Sequence, residues 1–96
     1  MAAVPEEAKA ALERLKTLIV PGTGGVEATE LIRLADLAAS PITDAAARKK
    51  LSEALISALT VLSLGPLLGG DLDAARKQAE WAVSTIALGQ DLAASS

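Results

Sequence analysis

The stretch Thr43-Asp44-Ala45-Ala46-Ala47-Arg48-Lys49-Lys50-Leu51-Ser52-Glu53-Ala54-Leu55-Ile56-Ser57-Ala58-Leu59-Thr60-Val61-Leu62-Ser63-Leu64-Gly65-Pro66 decides the fold. Thr43 is a good helix N-cap, Asp44 follows at the positive end of the dipole, and Ile42 is placed to staple onto Ala47. Leu64-Gly65-Pro66 reads as a stop, a Gly followed by a residue that cannot continue a helix. The spacing therefore predicts a helix over 43–64, about 22 residues and roughly 33 Å long at 1.5 Å per residue. Its first half carries Arg48, Lys49, Lys50 and Glu53, and its second half, Ala54 to Leu64, carries no charge on any face. A helix that is apolar all round is a buried one, so the second half is expected at the centre of the fold with neighbours on several sides.

Working outward, three more helices complete the chain. Pro5, at the first helical position with Glu6 and Glu7 behind it, opens a helix over about 5–19. Its stripe is Ala8, Ala11, Leu12, Leu15, Leu18 and Ile19. A loop, Pro21–Gly25, leads to a helix over about 26–39 with Leu31, Leu34, Ala35 and Ala38 on one face. Ser40-Pro41 stops it, because the residue before Pro avoids the helical region. After Gly69-Gly70, Asp71 caps a helix over about 71–88, leaving 89–96 as a frayed tail. That last helix carries two adjacent stripes: Ala75, Ala79, Ala82, Val83 and Ile86, and beside them Ala74, Gln78, Trp81, Thr85 and Leu88. Glu30–Arg33, Asp73–Lys77 and Arg76–Glu80 are spaced as surface pairs. Pro21-x-x-Gly24-Gly25 recurs as Pro66-x-x-Gly69-Gly70, each joining two helices. The expected fold is a single all-α domain over 1–96, a four-helix bundle or an orthogonal four-helix domain built from two helical hairpins.

Composition narrows the chemistry. The chain has 96 residues and no His, Cys, Phe, Tyr or Asn, while about a fifth of it is Ala. Most enzyme and transition-metal sites draw on His or Cys, and most small-molecule pockets on aromatics. No metal, cofactor or catalytic residue is assigned. The 16 Leu, 5 Ile and 5 Val are enough for a core without a staple. The net charge is −3, and no basic stripe extends beyond Arg48-Lys49-Lys50, which argues against nucleic acid. The start Met1-Ala2-Ala3-Val4-Pro5-Glu6-Glu7 lacks the basic and apolar regions of a signal peptide. The longest uncharged run, Ala54–Gly70, is 17 residues and is broken by Gly and Pro. It falls short of the roughly 20 apolar residues a membrane span needs.

The remaining polar residues offer few candidates for chemistry. Asp36 and Glu53 lie nearest an apolar stripe and are the candidates for acid or base work, but their surroundings read as solvated. The lysines fall on charged faces, and the serines have no base on their own face. Ser57, Thr60, Ser63, Ser84 and Thr85 sit in otherwise apolar helix, where a hydroxyl commonly bonds back to its own i−4 carbonyl. The sharper alternative groups Ser57, Thr60, Trp81 and Thr85 around a ligand pocket with Trp81 as its wall. A further alternative is an exposed patch of Ile56, Leu59, Leu64, Leu67, Leu68, Trp81 and Leu88 through which helices 3 and 4 form a homodimer.

Pro5-Glu6-Glu7-Ala8 at a helix start, the Thr43-Asp44 and Asp71-Leu72-Asp73 caps, the Gly-Pro and Gly-Gly stops and the i,i+4 charge pairs resemble computationally designed helical proteins. The resemblance is one of style and covers the whole chain. Ala and Gly are heavier, and surface Glu and Lys sparser, than in the commonest designs. The resemblance implies a de novo scaffold whose specified property is its fold, with no enzymatic activity and no required partner.

Overall fold

The computed structural model describes residues 4–19, 27–69 and 71–95. They form four α-helices, α1 (Glu6–Thr17), α2 (Ala28–Ala39), α3 (Ala45–Leu68) and α4 (Leu72–Ser95), and no strand appears among the described residues. The loop expected at Pro21–Gly25, the first copy of the Pro-x-x-Gly-Gly motif and the proposed start at Val26 lie outside the described residues.

The helix ends differ from the sequence expectation in five places, each for a local reason. Pro5 is the N-cap of α1 and not its first helical residue: its ψ is 140°, and its carbonyl accepts from the amides of Ala8 and Lys9. At the far end the amides of Leu18 and Ile19 turn to carbonyls three residues back, so α1 stops at Thr17 and not at Ile19. Asp44, not Thr43, caps α3, because its Oδ1 accepts from the amides of Ala46 at 3.0 Å and Ala47 at 3.3 Å. The expected stop at Gly65-Pro66 is overrun, and α3 continues to Leu68 and ends at Gly69, whose φ is +73°. Proline's own φ is helical, and the part of its clash that falls on the Cβ of the preceding residue is absent with Gly65. The helix continues at the cost of the hydrogen bond that a proline cannot donate. Only glycine enters the left-handed region at Gly69 without strain.

The fifth difference is the largest. Residues 89–95 are not a frayed tail but the last two turns of α4. Gln90 is buried, and its amide Nε2 donates to the carbonyls of Ala38 at 2.9 Å and Ala8 at 3.2 Å. The end of α4 is thereby fastened to α2 and α1. Beside it Gly89 lies against Ile42 so closely that a Cβ there would sit 2.8 Å from Ile42 Cγ1.

α1 packs on α2 and α3 on α4, giving the two expected hairpins; α2 against α3 and α1 against α4 close the ring, and α2 also touches α4. The result is a four-helix bundle. The interior is lined by Ala8, Ala11, Leu12 and Leu15 of α1, Leu31, Leu34, Ala35, Ala38 and Ala39 of α2, Leu51, Leu55, Ala58, Leu59 and Leu62 of α3, and Ala75, Ala79, Ala82, Val83 and Ile86 of α4. The stripes expected for α1, α2 and α4 lie here, except that Leu18 and Ile19 are only half-buried. Alanine at so many contacts lets helix axes approach closely. The uncharged half of α3 is only half inside, contrary to the sequence expectation. Leu55, Ala58, Leu59 and Leu62 point inward, while Ser57, Thr60, Ser63 and Leu64 face solvent. With only α2 and α4 as neighbours, α3 cannot be wrapped on every side, and small hydroxyls fill its outer face in place of charges.

Candidate functional site

The hydroxyls proposed to line a pocket are held by their own helices. Thr60 Oγ1 donates to the Ile56 carbonyl at 2.7 Å and Thr85 Oγ1 to the Trp81 carbonyl at 2.8 Å. Both are the i−4 bonds that spend a hydroxyl on the backbone. Ser57 is exposed, and Trp81 is half-exposed at 50%. Two contacts mark the antiparallel register of α3 and α4: Gln78 Nε2 donates to the Ala54 carbonyl at 2.9 Å, and Gly89 abuts Ile42, just before α3. In that register Trp81 stands roughly level with Leu51. Ser57 and Thr60 therefore lie more than a helical turn away, nearer the α3–α4 connection. The four residues do not converge on a common space.

Two open clefts are lined by described residues. One, of about 410 Å³, runs between α2 and α3 and is lined by Asp36, Ser40, Ala45, Arg48, Lys49 and Ser52. The other, of about 660 Å³, follows the α1–α2 groove past Glu7, Arg14, Glu30 and Arg33. Neither touches Trp81. In the first, Arg48 is engaged with the Ile42 carbonyl at 3.2 Å and Ser52 Oγ with the Lys49 carbonyl at 3.0 Å. Asp36 and Glu53 are exposed. In the second, Arg33 meets Glu30 through two bonds, at 2.6 and 3.1 Å. The hydrogen bond from Arg33, with the added attraction of Arg33 and Arg14, holds the Glu30 carboxyl below its ordinary value, and Glu30 in turn raises Arg33. The arrangement is a surface ion pair and offers no proton to a reaction near neutrality.

The other ion pairs are also on the surface. Lys16 meets Glu13 at 3.1 Å, and Asp73 meets Lys77 at 3.3 Å. Arg76 turns back to Asp73 at 2.8 Å, and not forward to Glu80 as its spacing had suggested. Among the described residues no cluster of acidic side chains is arranged to hold a metal ion, and no helix is long and apolar enough to cross a membrane.

The expected homodimer patch is redistributed. Leu59 is buried and Ile56 half-buried, whereas Leu64, Trp81 and Leu88 are exposed. The side chains of Leu67 and Leu68 lie outside the described residues. Leu92, expected in a frayed tail, is the most exposed large apolar residue among the described residues at 62%.

Sequence reasoning missed Gln90. The signal was present: Ala79, Val83, Ile86 and Gln90 follow one another at four, three and four residues, so Gln90 continues the buried stripe of α4. Its polarity disguised it as part of a tail. Comparison with known protein families, with curated proteins and with solved structures finds no match.

Proposed function

We propose that this chain is a designed helical scaffold, a four-helix domain that specifies its own fold and carries no biochemical activity. The observation that carries the reading is the use made of its polar interior. The two buried polar side chains described, Gln90 and Ser52, both bond to backbone carbonyls, and no buried side-chain polar atom among the described residues lacks a partner. A reactive site ordinarily keeps a polar group partly unsatisfied or its pKa displaced toward neutrality. Here Gln90 joins α4 to α1 and α2, Ser52 bonds back within α3, and the ion pairs outside join residues three or four apart. Agreement among caps, apolar stripes and turn glycines is the property that design aims at.

The test uses Trp81 as a built-in reporter. The purified chain is expected to unfold in one cooperative transition, with Trp81 emission and melting temperature unmoved by a broad panel of small apolar and polar ligands. A saturable rise in melting temperature with any member of the panel would overturn the scaffold reading in favour of a binding protein.

A further inference from the structure

We propose that α4 pairs with α4 of a second copy of this chain, antiparallel, through Trp81, Thr85, Leu88 and Leu92. These residues stand at i, i+4, i+7 and i+11, which places them on one narrow stripe of the helix. The stripe lies opposite Ala75, Ala79, Ala82, Val83, Ile86 and Gln90, which are buried in the bundle. Trp81, Leu88 and Leu92 are exposed by 50%, 58% and 62%. Thr85 adds to the apolar character, because its hydroxyl is turned to the Trp81 carbonyl. α4 thus presents large apolar side chains on two sides, and the bundle uses one of them.

The charges at the ends of the stripe identify the occupant. Lys77, which also meets Asp73 of its own helix at 3.3 Å, stands one turn before Trp81, and Asp91 stands beside Leu92. In an antiparallel pair with its two-fold axis near Thr85, Trp81 meets Leu88 of the other copy, and Lys77 meets Asp91 of the other copy. Both contacts then occur twice. A parallel pair would set Lys77 against Lys77 and Asp91 against Asp91, which repel. The surface is self-complementary in one orientation only. The three large side chains expose on the order of 300 Å² per copy. Twice that is well below the roughly 1,200 Å² of a stable complex, so the association is weak and reversible.

Sedimentation equilibrium over roughly 10 μM to 2 mM is expected to show a monomer–dimer equilibrium with a Kd of about 0.1–1 mM. Trp81 emission should shift to the blue over the same range. Leu88→Glu should abolish the dimer while leaving the melt of the monomer unchanged. Lys77→Glu and Asp91→Lys should each weaken it about fivefold, as expected for a modest charge pair formed twice. The double variant should return to within about twofold of the native chain. A chain that stays monomeric throughout overturns the proposal. So does dimerisation indifferent to Leu88→Glu, or a double variant that fails to restore it. If the monomer's Trp81 shifts only on adding phosphatidylcholine vesicles, the stripe belongs to a lipid surface and the proposal is likewise overturned.

Discussion

Replacing Gln90 by Met tests whether one buried amide holds the end of α4 in place. Methionine keeps the length and much the same volume but removes both donors. Ala38 lies in the last turn of α2, where carbonyls run out of intrahelical amides, and Gln90 donates to its carbonyl at 2.9 Å. Leaving such an acceptor buried and unmet costs about 1–3 kcal/mol. The bond to Ala8 at 3.2 Å is lost with it. The added apolar burial returns about 0.8 kcal/mol per methylene equivalent, so the net loss is about 1–2 kcal/mol. Each kcal/mol moves the midpoint of a domain this small by about 4–8 °C, so the melt should fall by about 4–16 °C. Gln78 is the internal control: it makes the same kind of bond, from the same atom, to the Ala54 carbonyl at 2.9 Å, but on the surface. Gln78→Met should change stability by no more than about 0.5 kcal/mol. The assay is thermal and urea unfolding followed by far-ultraviolet circular dichroism. Native stability in Gln90→Met, or equal losses in the two variants, would refute the reasoning.

Other expectations follow from the same contacts. Asp44→Ala should cost about 0.5–2 kcal/mol and Thr43→Ala almost nothing, since Asp44 holds the two amides; equal effects in urea unfolding would return the cap to Thr43. Gly89→Ala gains about 1 kcal/mol of helix propensity. It must also displace Ile42, whose Cγ1 would lie 2.8 Å from the new Cβ. It should therefore stabilise the chain in an Ile42→Ala background and fail to do so in the native one; additive effects in a double-mutant cycle would show that no such conflict exists. Stability should be flat from about pH 6 to 8, because the chain has no His. The folded-state carboxyl of Glu30 is lowered from 4.5. Its contribution is thus complete above the unfolded value and is lost as pH falls through the lower folded one. The pair is exposed, so Glu30→Gln should leave the melt at pH 7 nearly unchanged and only flatten the acid limb. A large loss at neutral pH would contradict that assignment.

The four helices and their buried faces could be read from Leu and Ala spacing, because burial imposes a period of 3.6 on residues that are unambiguously apolar. Every residue assigned to the inner stripe of α4, from Ala75 to Ile86, is buried. The adjacent stripe with Trp81, Thr85 and Leu88 forms the outer side. Where the reading went astray, a residue's usual role was overridden by its neighbour. Gly65 has no Cβ to crowd Pro66, which lowers one of the costs of a helical proline, and an expected stop lies inside a helix. Gln90 resembled a solvated polar residue, and only its two acceptors on distant helices make it interior. The absence of charge between Ala54 and Leu64 suggested complete burial, yet it marks a helix with an outer face of hydroxyls. The grouping of Ser57 and Thr60 with Trp81 depended on the offset between α3 and α4. That offset shows in the contacts Gln78–Ala54 and Gly89–Ile42, which no local pattern announces.

The link between Gln90 and Ala8 joins positions 82 apart along the chain. A closure that long costs chain entropy until nearly every helix is already docked. The first hairpin therefore gains this contact only once the final turns of α4 have docked. The amide then acts as a latch: it adds little to the speed of assembly, and it governs how long the finished bundle stays shut.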